Sequence, residues 1–243
     1  MSVEAVPTPT IRSGLSVLWD VIVAPKSAFA ALREHPTWVW AFVAVCVFGI
    51  AGAFLQMPTG EHIARNVMIL NPSHDPKIAA MTPEQRQQIA NISLATQRIA
   101  TWLYPIGAMI AILWGTLIAL IANAASKGDG TWARLFAFIA NIAFIRLGLG
   151  AFVTGVLVAL RGPSAFVTTR DLLTVLPSLA WLVPAGNPKL AALLSVFNPF
   201  QIWTFILIGI GLPIFARIGR TPAFVAAALI ILTETAISVA SAK

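Results

Sequence analysis

The sequence predicts an all-α polytopic membrane protein with five transmembrane helices. Of its 243 residues, 58% are hydrophobic and only 10% are charged, and the mean hydropathy is +0.84. A soluble domain usually carries about 25% charged residues. A helix that crosses a bilayer needs about 20 consecutive, mostly apolar residues. Five windows satisfy that length, at about 38–57, 101–124, 133–160, 200–217 and 222–240.

Aromatic residues mark the edges of these windows. Trp38 opens the first window, Trp102 the second and Trp132 the third, and Trp203 stands near the start of the fourth. Tryptophan prefers the boundary between hydrocarbon and water. We therefore expect Trp38 to anchor the start of the first span at the membrane surface.

Residues 1–37 precede the first span and are predicted to form a segment of interfacial amphipathic helices. Apolar residues recur there at helical spacing, namely Ile11, Leu15, Leu18, Trp19 and Ile22. Pro25 then favours the start of a second short helix, which carries Phe29 and Leu32 on one face. We expect Trp19 and Phe29 to anchor these helices in the membrane surface, because the helices are too short to cross it.

The segment 58–100 between the first two spans is polar, and its second half predicts a helix. Thr82, Pro83 and Gln85 form a typical helix start, with a capping threonine and its glutamine partner. Apolar residues continue from there into the second span, with Pro105 as the first helix breaker. A helix over about 83–124 would be on the order of 60 Å long. We expect it to project from the membrane as a stalk.

The segment 161–197 between the third and fourth spans is less polar and predicts a helix on the membrane surface. Asn187 can cap a helix that Pro188 begins. Large apolar residues then form one stripe: Leu190, Leu193, Leu194 and Phe197.

Five spans place the two termini on opposite sides of the membrane, and the short links indicate which side is which. The links KGDGTWAR and RIGR concentrate four cations in few residues. Short cytoplasmic links are enriched in Lys and Arg. We therefore expect a cytoplasmic N-terminal segment 1–37 and a transmembrane domain 38–243. Its C-terminus and its segments 58–100 and 161–197 would be extracytoplasmic.

Arg146 and Glu234 are the ionisable residues that lie deepest in the predicted spans. Each stands 12 or 13 residues from the start of its span, and the two spans run in the same direction, so the side chains should share one depth. Charged groups at that depth need a partner or a water-lined cavity. We expect an ion pair that fixes helix register. A proton or ion relay, or an Arg146 that reaches the headgroups, are the alternatives, and Asn141 is a candidate supporting polar residue.

No pattern for catalysis, a cofactor or a metal site stands out in the sequence. The three histidines have no helical i, i+4 pairing, and Cys46 is the single cysteine. The formal charge of +7 comes from scattered cations, which favours anionic lipid headgroups over nucleic acid as partners.

Three phrases resemble the Yip family of Ypt/Rab-interacting membrane proteins, in particular its bacterial branch. They are PKSAFAALREHPTW at 25–38, KGDGTWARLFAFIA at 127–140 and FNPFQIWTFILIGIGL at 197–212. The resemblance implies five membrane helices, a cytoplasmic N-terminus and a location in the bacterial cytoplasmic membrane. The chain departs from the family in lacking a proline near the middle of the third span, and it lacks the acidic, tyrosine-containing phrase of eukaryotic members.

These observations favour a non-enzymatic scaffold or accessory factor in membrane organisation or for a partner membrane complex. Its partners would be membrane lipids and either a second copy of the chain or another membrane protein. The alternative is a transporter or channel for a lipid or small solute that uses the Arg146/Glu234 region. A membrane enzyme acting on lipid is the third hypothesis.

Overall fold

The computed structural model describes residues 14–70, 76–184 and 187–241. Five helices in this part of the chain are long and apolar enough to cross a membrane: Val39–Leu70, Tyr104–Ala125, Trp132–Arg161, Pro199–Ala216 and Arg220–Ile237. The predicted fold class is thereby confirmed. Ile11, in the predicted N-terminal helix, lies outside the described residues.

The described residues of the first half of the chain form six α-helices. They are α1 (Gly14–Val23), α2 (Pro25–Glu34), α3 (Val39–Arg65), α4 (Pro76–Ala79), α5 (Pro83–Trp102) and α6 (Tyr104–Ala125). A π-helical turn, Asn66–Leu70, extends α3.

The second half contains the third, fourth and fifth spans. The third span is made of α7 (Trp132–Ala143), a π-helical segment (Phe144–Gly150) and α8 (Ala151–Arg161). Two short helices, α9 (Thr169–Leu173) and α10 (Pro188–Ser195), precede the fourth span, α11 (Pro199–Ala216), and the fifth, α12 (Arg220–Ser241). Short 3-10 turns occur at Pro163–Ala165 and Leu179–Leu182.

Four spans surround the centre of the molecule, and the first span packs outside them. α6 contacts α7 and α12, and α11 contacts both α7 and α12, so these four helices form a closed ring. α3 packs along α8, where a Cβ on Gly155 would meet the carbonyl oxygen of Gly52 at 2.4 Å. These glycines therefore allow the two backbones to approach more closely than larger residues would.

The two ends of the bundle are called the first face and the second face below. The first face carries α1, α2 and the links 126–131 and 217–219, and the second face carries α5 and the chain from 162 to 198. The link 126–131 is a tight turn, in which Asn123 Nδ2 donates to the Gly130 carbonyl at 3.0 Å and Asn123 Oδ1 accepts from the Gly130 N–H at 2.9 Å. Asn123 thus closes the first face.

α2 lies inside the first face, and the prediction that Phe29 anchors it in the membrane surface is wrong. The Phe29 side chain is 0% exposed, and its ring makes edge contacts with Phe138 at 5.2 Å and Phe215 at 6.0 Å between centroids. Gly211 makes room for this cluster, because a Cβ there would lie 2.8 Å from the Phe29 ring. The apolar side of α2 is covered by protein, since α7 and α11 leave an apolar recess at this end of the bundle.

α1 is apolar on two opposite sides. Val17, Leu18 and Val21 are buried against the bundle. The other side forms an exposed stripe at i, i+4 and i+8, made of Leu15, Trp19 and Val23. The apolar residues of α1 therefore belong to two faces, one that packs on protein and one that remains uncovered.

At the second face, the helix predicted over 83–124 is divided into α5 and α6, and α5 does not project alone but pairs with α3. The helix over 83–124 breaks at Leu103, because Pro105 has no N–H to continue the hydrogen-bond ladder of α5. The predicted Thr82–Gln85 capping box is present at the start of α5. α5 packs against α3, which continues through Pro58 beyond the apolar window.

α10 lies at the second face with its small residues inward. Asn187 caps it by accepting the Leu190 N–H at 3.1 Å. Ala191 and Ala192 are buried, whereas Leu190 and Leu193 are exposed. The predicted apolar stripe is present but faces away from the bundle.

Candidate functional site

Arg146 lies in the π-helical segment in the middle of the third span. The segment has seven residues, Phe144–Gly150, and π-helical turns inside α-helices are rare and often occur at functional sites. Two side chains bond carbonyls of this segment. Tyr104 donates its hydroxyl to the Leu147 carbonyl, and Thr154 donates to the Gly150 carbonyl at 2.7 Å. The irregular backbone is thus stabilised from α6 and α8.

Arg146 and Glu234 are in direct contact. Arg146 Nη2 donates to Glu234 Oε1, and the two side chains are 25% and 21% exposed. The second carboxylate oxygen, Oε2, lies 3.5 Å from Gln201 Nε2, at the outer limit for a hydrogen bond. The cation from the third span therefore meets an acid from α12, with an amide from α11 beside them.

A small cavity adjoins this pair at the centre of the four-helix ring. Its volume is about 30 Å³, and its lining includes Arg146, Glu234 and Thr204. Thr204 is 5% exposed, and its Oγ1 has no hydrogen-bond partner among the described residues. A cavity needs roughly 10–15 Å³ of such volume to hold one water molecule. The site is therefore large enough for a water that would bond Thr204, and too small for an organic solute.

Asn141 does not join the pair. Its Nδ2 donates to the Thr37 carbonyl at 2.7 Å and to the Ala137 carbonyl at 2.8 Å. Thr37 lies two residues before α3, so Asn141 holds the start of the first span against the third. Asn141 therefore bonds a neighbouring segment, as a polar side chain in a span is expected to do, and it does not support Arg146, because it lies more than one helical turn closer to the first face.

The three predicted surface anchors occupy different environments. Trp19 is 65% exposed on the outer side of α1. Trp38 is 36% exposed and packs edge-on against Phe136, with ring centroids 5.2 Å apart. Phe29 lies in the core, as described above. Trp19 therefore remains available to lipid, and Trp38 both faces outward and braces the third span.

Gln201 and Thr204 are site residues that the sequence reasoning missed. Both lie in the fourth span and are almost fully buried. One signal could have identified them: before Arg217 at its end, the window over 200–217 has only these two polar side chains, three residues apart and so on one side of the helix. Among the described residues, no three His, Cys, Asp or Glu side chains come together.

Comparisons with known proteins agree with this architecture. The family model of the Yip1 domain matches residues 19–242. The membrane protein YknW of Bacillus subtilis (strain 168) is 27% identical over 214 residues, which cover 88% of this chain and 84% of YknW. No solved structure matches the chain.

Proposed function

Starting from the fact that the chain belongs to the Yip1 domain family, we propose that it is a non-enzymatic scaffold or accessory factor. It would organise the membrane around it or hold a partner membrane complex, as a multi-pass protein of a bacterial cytoplasmic membrane with its first face toward the cytoplasm. Four cations in the links of that face or in the first turn of the helices that follow them support this orientation.

The observation that carries the proposal is the two-sided helix α1. Its inner side is seated on the bundle through Val17, Leu18 and Val21, so its outer stripe is held in a fixed place. That stripe consists of Leu15, Trp19 and Val23, and each of these side chains is more than half exposed. A rigid apolar stripe at the edge of a membrane bundle suits insertion among headgroups or contact with a partner helix.

The centre of the bundle supports the same proposal. The intramembrane cation and carboxylate neutralise each other directly, and the cavity beside them holds about 30 Å³. A pair that is closed in this way fixes the relative positions of the third and fifth spans. Its role is then to keep the surfaces of the protein in a constant arrangement.

The test compares two stripes of matched spacing. In the first variant, Leu15, Trp19 and Val23 are replaced together by alanine. In the control variant, Leu113, Leu117 and Ile121 of α6, which are also exposed at i, i+4 and i+8, are replaced by alanine. The measurement is single-particle tracking of the fluorescently tagged chain in cell membranes.

We expect the α1 variant to diffuse at least about twofold faster than the wild type and to lose clustering, while the α6 variant matches the wild type. Both variants should keep the wild-type melting temperature, because the inner face of α1 is unchanged. Equal diffusion of the α1 variant and the wild type would contradict the scaffold proposal. Deleting the whole N-terminal segment would not be a clean test, because it would also remove the buried Phe29 from the core.

Transport of a small species is a second candidate, which the π-helical segment and the unpartnered Thr204 Oγ1 favour. The cavity volume limits the species to a proton or water unless the helices move. Proton flux into proteoliposomes that carry the wild type or Arg146→Ala distinguishes the candidates. Flux that the wild type shows and the variant lacks would favour transport, and absence of flux from both would favour the scaffold.

A further inference from the structure

An apolar groove of about 290 Å³ opens on the side of the bundle near the second face. Leu193 of α10 closes one end, Ile202 and Phe205 of α11 form one wall, and Ala228 and Leu232 of α12 form the other. Ile202 and Leu232 are about half exposed. The groove is therefore open laterally, toward whatever surrounds the fourth and fifth spans.

The walls of the groove offer hydrocarbon and almost no polar group. Two polar side chains contribute to its lining, Gln201 and Thr235. Thr235 Oγ1 donates to the Ile231 carbonyl at 2.7 Å, and Gln201 Nε2 points to Glu234. Since both are turned toward the protein, an occupant with polar groups along its length would lose hydrogen bonds on entering. A saturated or unsaturated hydrocarbon chain would lose none.

An exposed cation, Lys189, lies one helical turn before Leu193, the α10 residue that lines the groove. Lys189 lies four residues before Leu193 in α10, so the two side chains share one face of that helix. Lys189 forms no ion pair with the carboxylates in the described part of the chain. A lysine at a membrane boundary extends its ammonium to the headgroup layer, where it attracts phosphate.

We propose that this groove binds one acyl chain of an anionic glycerophospholipid, with the lipid phosphate on Lys189. The lipid comes from the leaflet at the second face, because α10, which carries Lys189, lies at that face. Van der Waals packing against the groove walls holds the acyl chain, but it does not distinguish between lipids that carry the same hydrocarbon chains. Charge on the headgroup therefore decides which lipid is retained, and anionic lipids are preferred over zwitterionic ones.

The experiment is native mass spectrometry of the full chain after purification with phosphatidylglycerol or phosphatidylcholine. Ala228→Trp fills the groove with an indole, and Lys189→Gln removes the cation. The matched controls are Leu117→Trp, at a lipid-exposed position of α6, and Lys26→Gln, at an exposed position of α2 on the first face. Leu193→Trp, at the exposed end of the groove, is a second blocking variant in case Ala228→Trp fails to fold.

We expect the wild type and both controls to retain one phosphatidylglycerol per chain. Either blocking variant should lower that occupancy at least tenfold. Lys189→Gln should reduce phosphatidylglycerol occupancy to that of phosphatidylcholine, and high salt should weaken the wild-type preference. Unchanged phosphatidylglycerol occupancy in a folded blocking variant would overturn the proposal. A blocking variant that alters the oligomeric mass without altering lipid occupancy would also overturn it, since the groove would then hold a second copy of the chain.

Discussion

α2 and α10 are both short helices that begin at a proline and carry an apolar side, yet they turn opposite kinds of residue toward the bundle. α2 buries its large residues, Phe29 and Leu32. α10 buries small ones, Ala191 and Ala192, and exposes Leu193. An apolar stripe on a helix therefore does not reveal what covers it. The shape of the surface beneath the helix decides which residues face inward.

The recess beneath α2 explains this difference. At the first face, Gly211 and the aromatic residues Phe138 and Phe215 leave a space that a phenyl ring fills. At the second face, α10 lies against α12, and the alanines of α10 allow the two backbones to approach closely. Large residues fill depressions, and small residues permit contact between flat surfaces.

The largest expected effect follows from replacing a phenylalanine in each region. Phe29→Ala should lower the free energy of unfolding by about 3–5 kcal/mol, because it removes a buried ring and leaves a cavity between Phe138 and Phe215. Phe197→Ala, next to α10, should change it by roughly 0.5 kcal/mol or less, because Phe197 is 51% exposed. Denaturation in detergent micelles measures both. Similar losses from the two variants would show that the regions do not differ.

The five spans were predictable because each needs about 20 apolar residues in a row, and such windows are visible without knowledge of the fold. The contact between Arg146 and Glu234 followed from depth alone, since few partners exist for an ion in hydrocarbon. The partner of Asn141 was not predictable, because Thr37 lies 104 positions away. The π-helical segment was not predicted either, since its contact with Tyr104 of α6 joins residues 43 positions apart.

The continuation of α3 beyond Pro58 has a similar cause. A proline inside a helix removes one hydrogen bond, and the polar residues that follow it suggest that the span has ended. α5 packs along this part of α3, where a Cβ on Gly60 would lie 2.3 Å from the Gln97 side chain of α5. The contact with α5 therefore outweighs the local helix-end signal of Pro58 and the polar residues after it.

A second, smaller effect should come from enlarging a small residue on each helix. Ala192→Leu should destabilise the fold by about 1–3 kcal/mol, because Ala192 is fully buried and the added methyl groups have no free space beneath the helix. Ala30→Leu, on the exposed side of α2, should change stability by roughly 0.5 kcal/mol or less. Thermal denaturation of each purified variant measures the difference. An Ala192→Leu variant as stable as the wild type would mean that α10 is only loosely placed on the bundle.

The smallest effect concerns an ion pair that tethers α2 to the first face. Arg33 Nη2 lies 2.7 Å from Asp129 Oδ2, and Arg217 Nε lies 3.4 Å from the same oxygen. Asp129 is 42% exposed and Arg33 16%, so water screens the pair, and its coupling should be about 0.2–1 kcal/mol.

A double-mutant cycle with Arg33→Gln and Asp129→Asn measures this coupling, and repeating the cycle in high salt should reduce it. Arg33 also donates to the Ile214 carbonyl, so the single variant Arg33→Gln should destabilise the protein more than Asp129→Asn does. A salt-insensitive coupling above about 2 kcal/mol would contradict the exposed pair that the structure describes. It would imply that charge, and not the packing of Phe29, holds α2 in the recess.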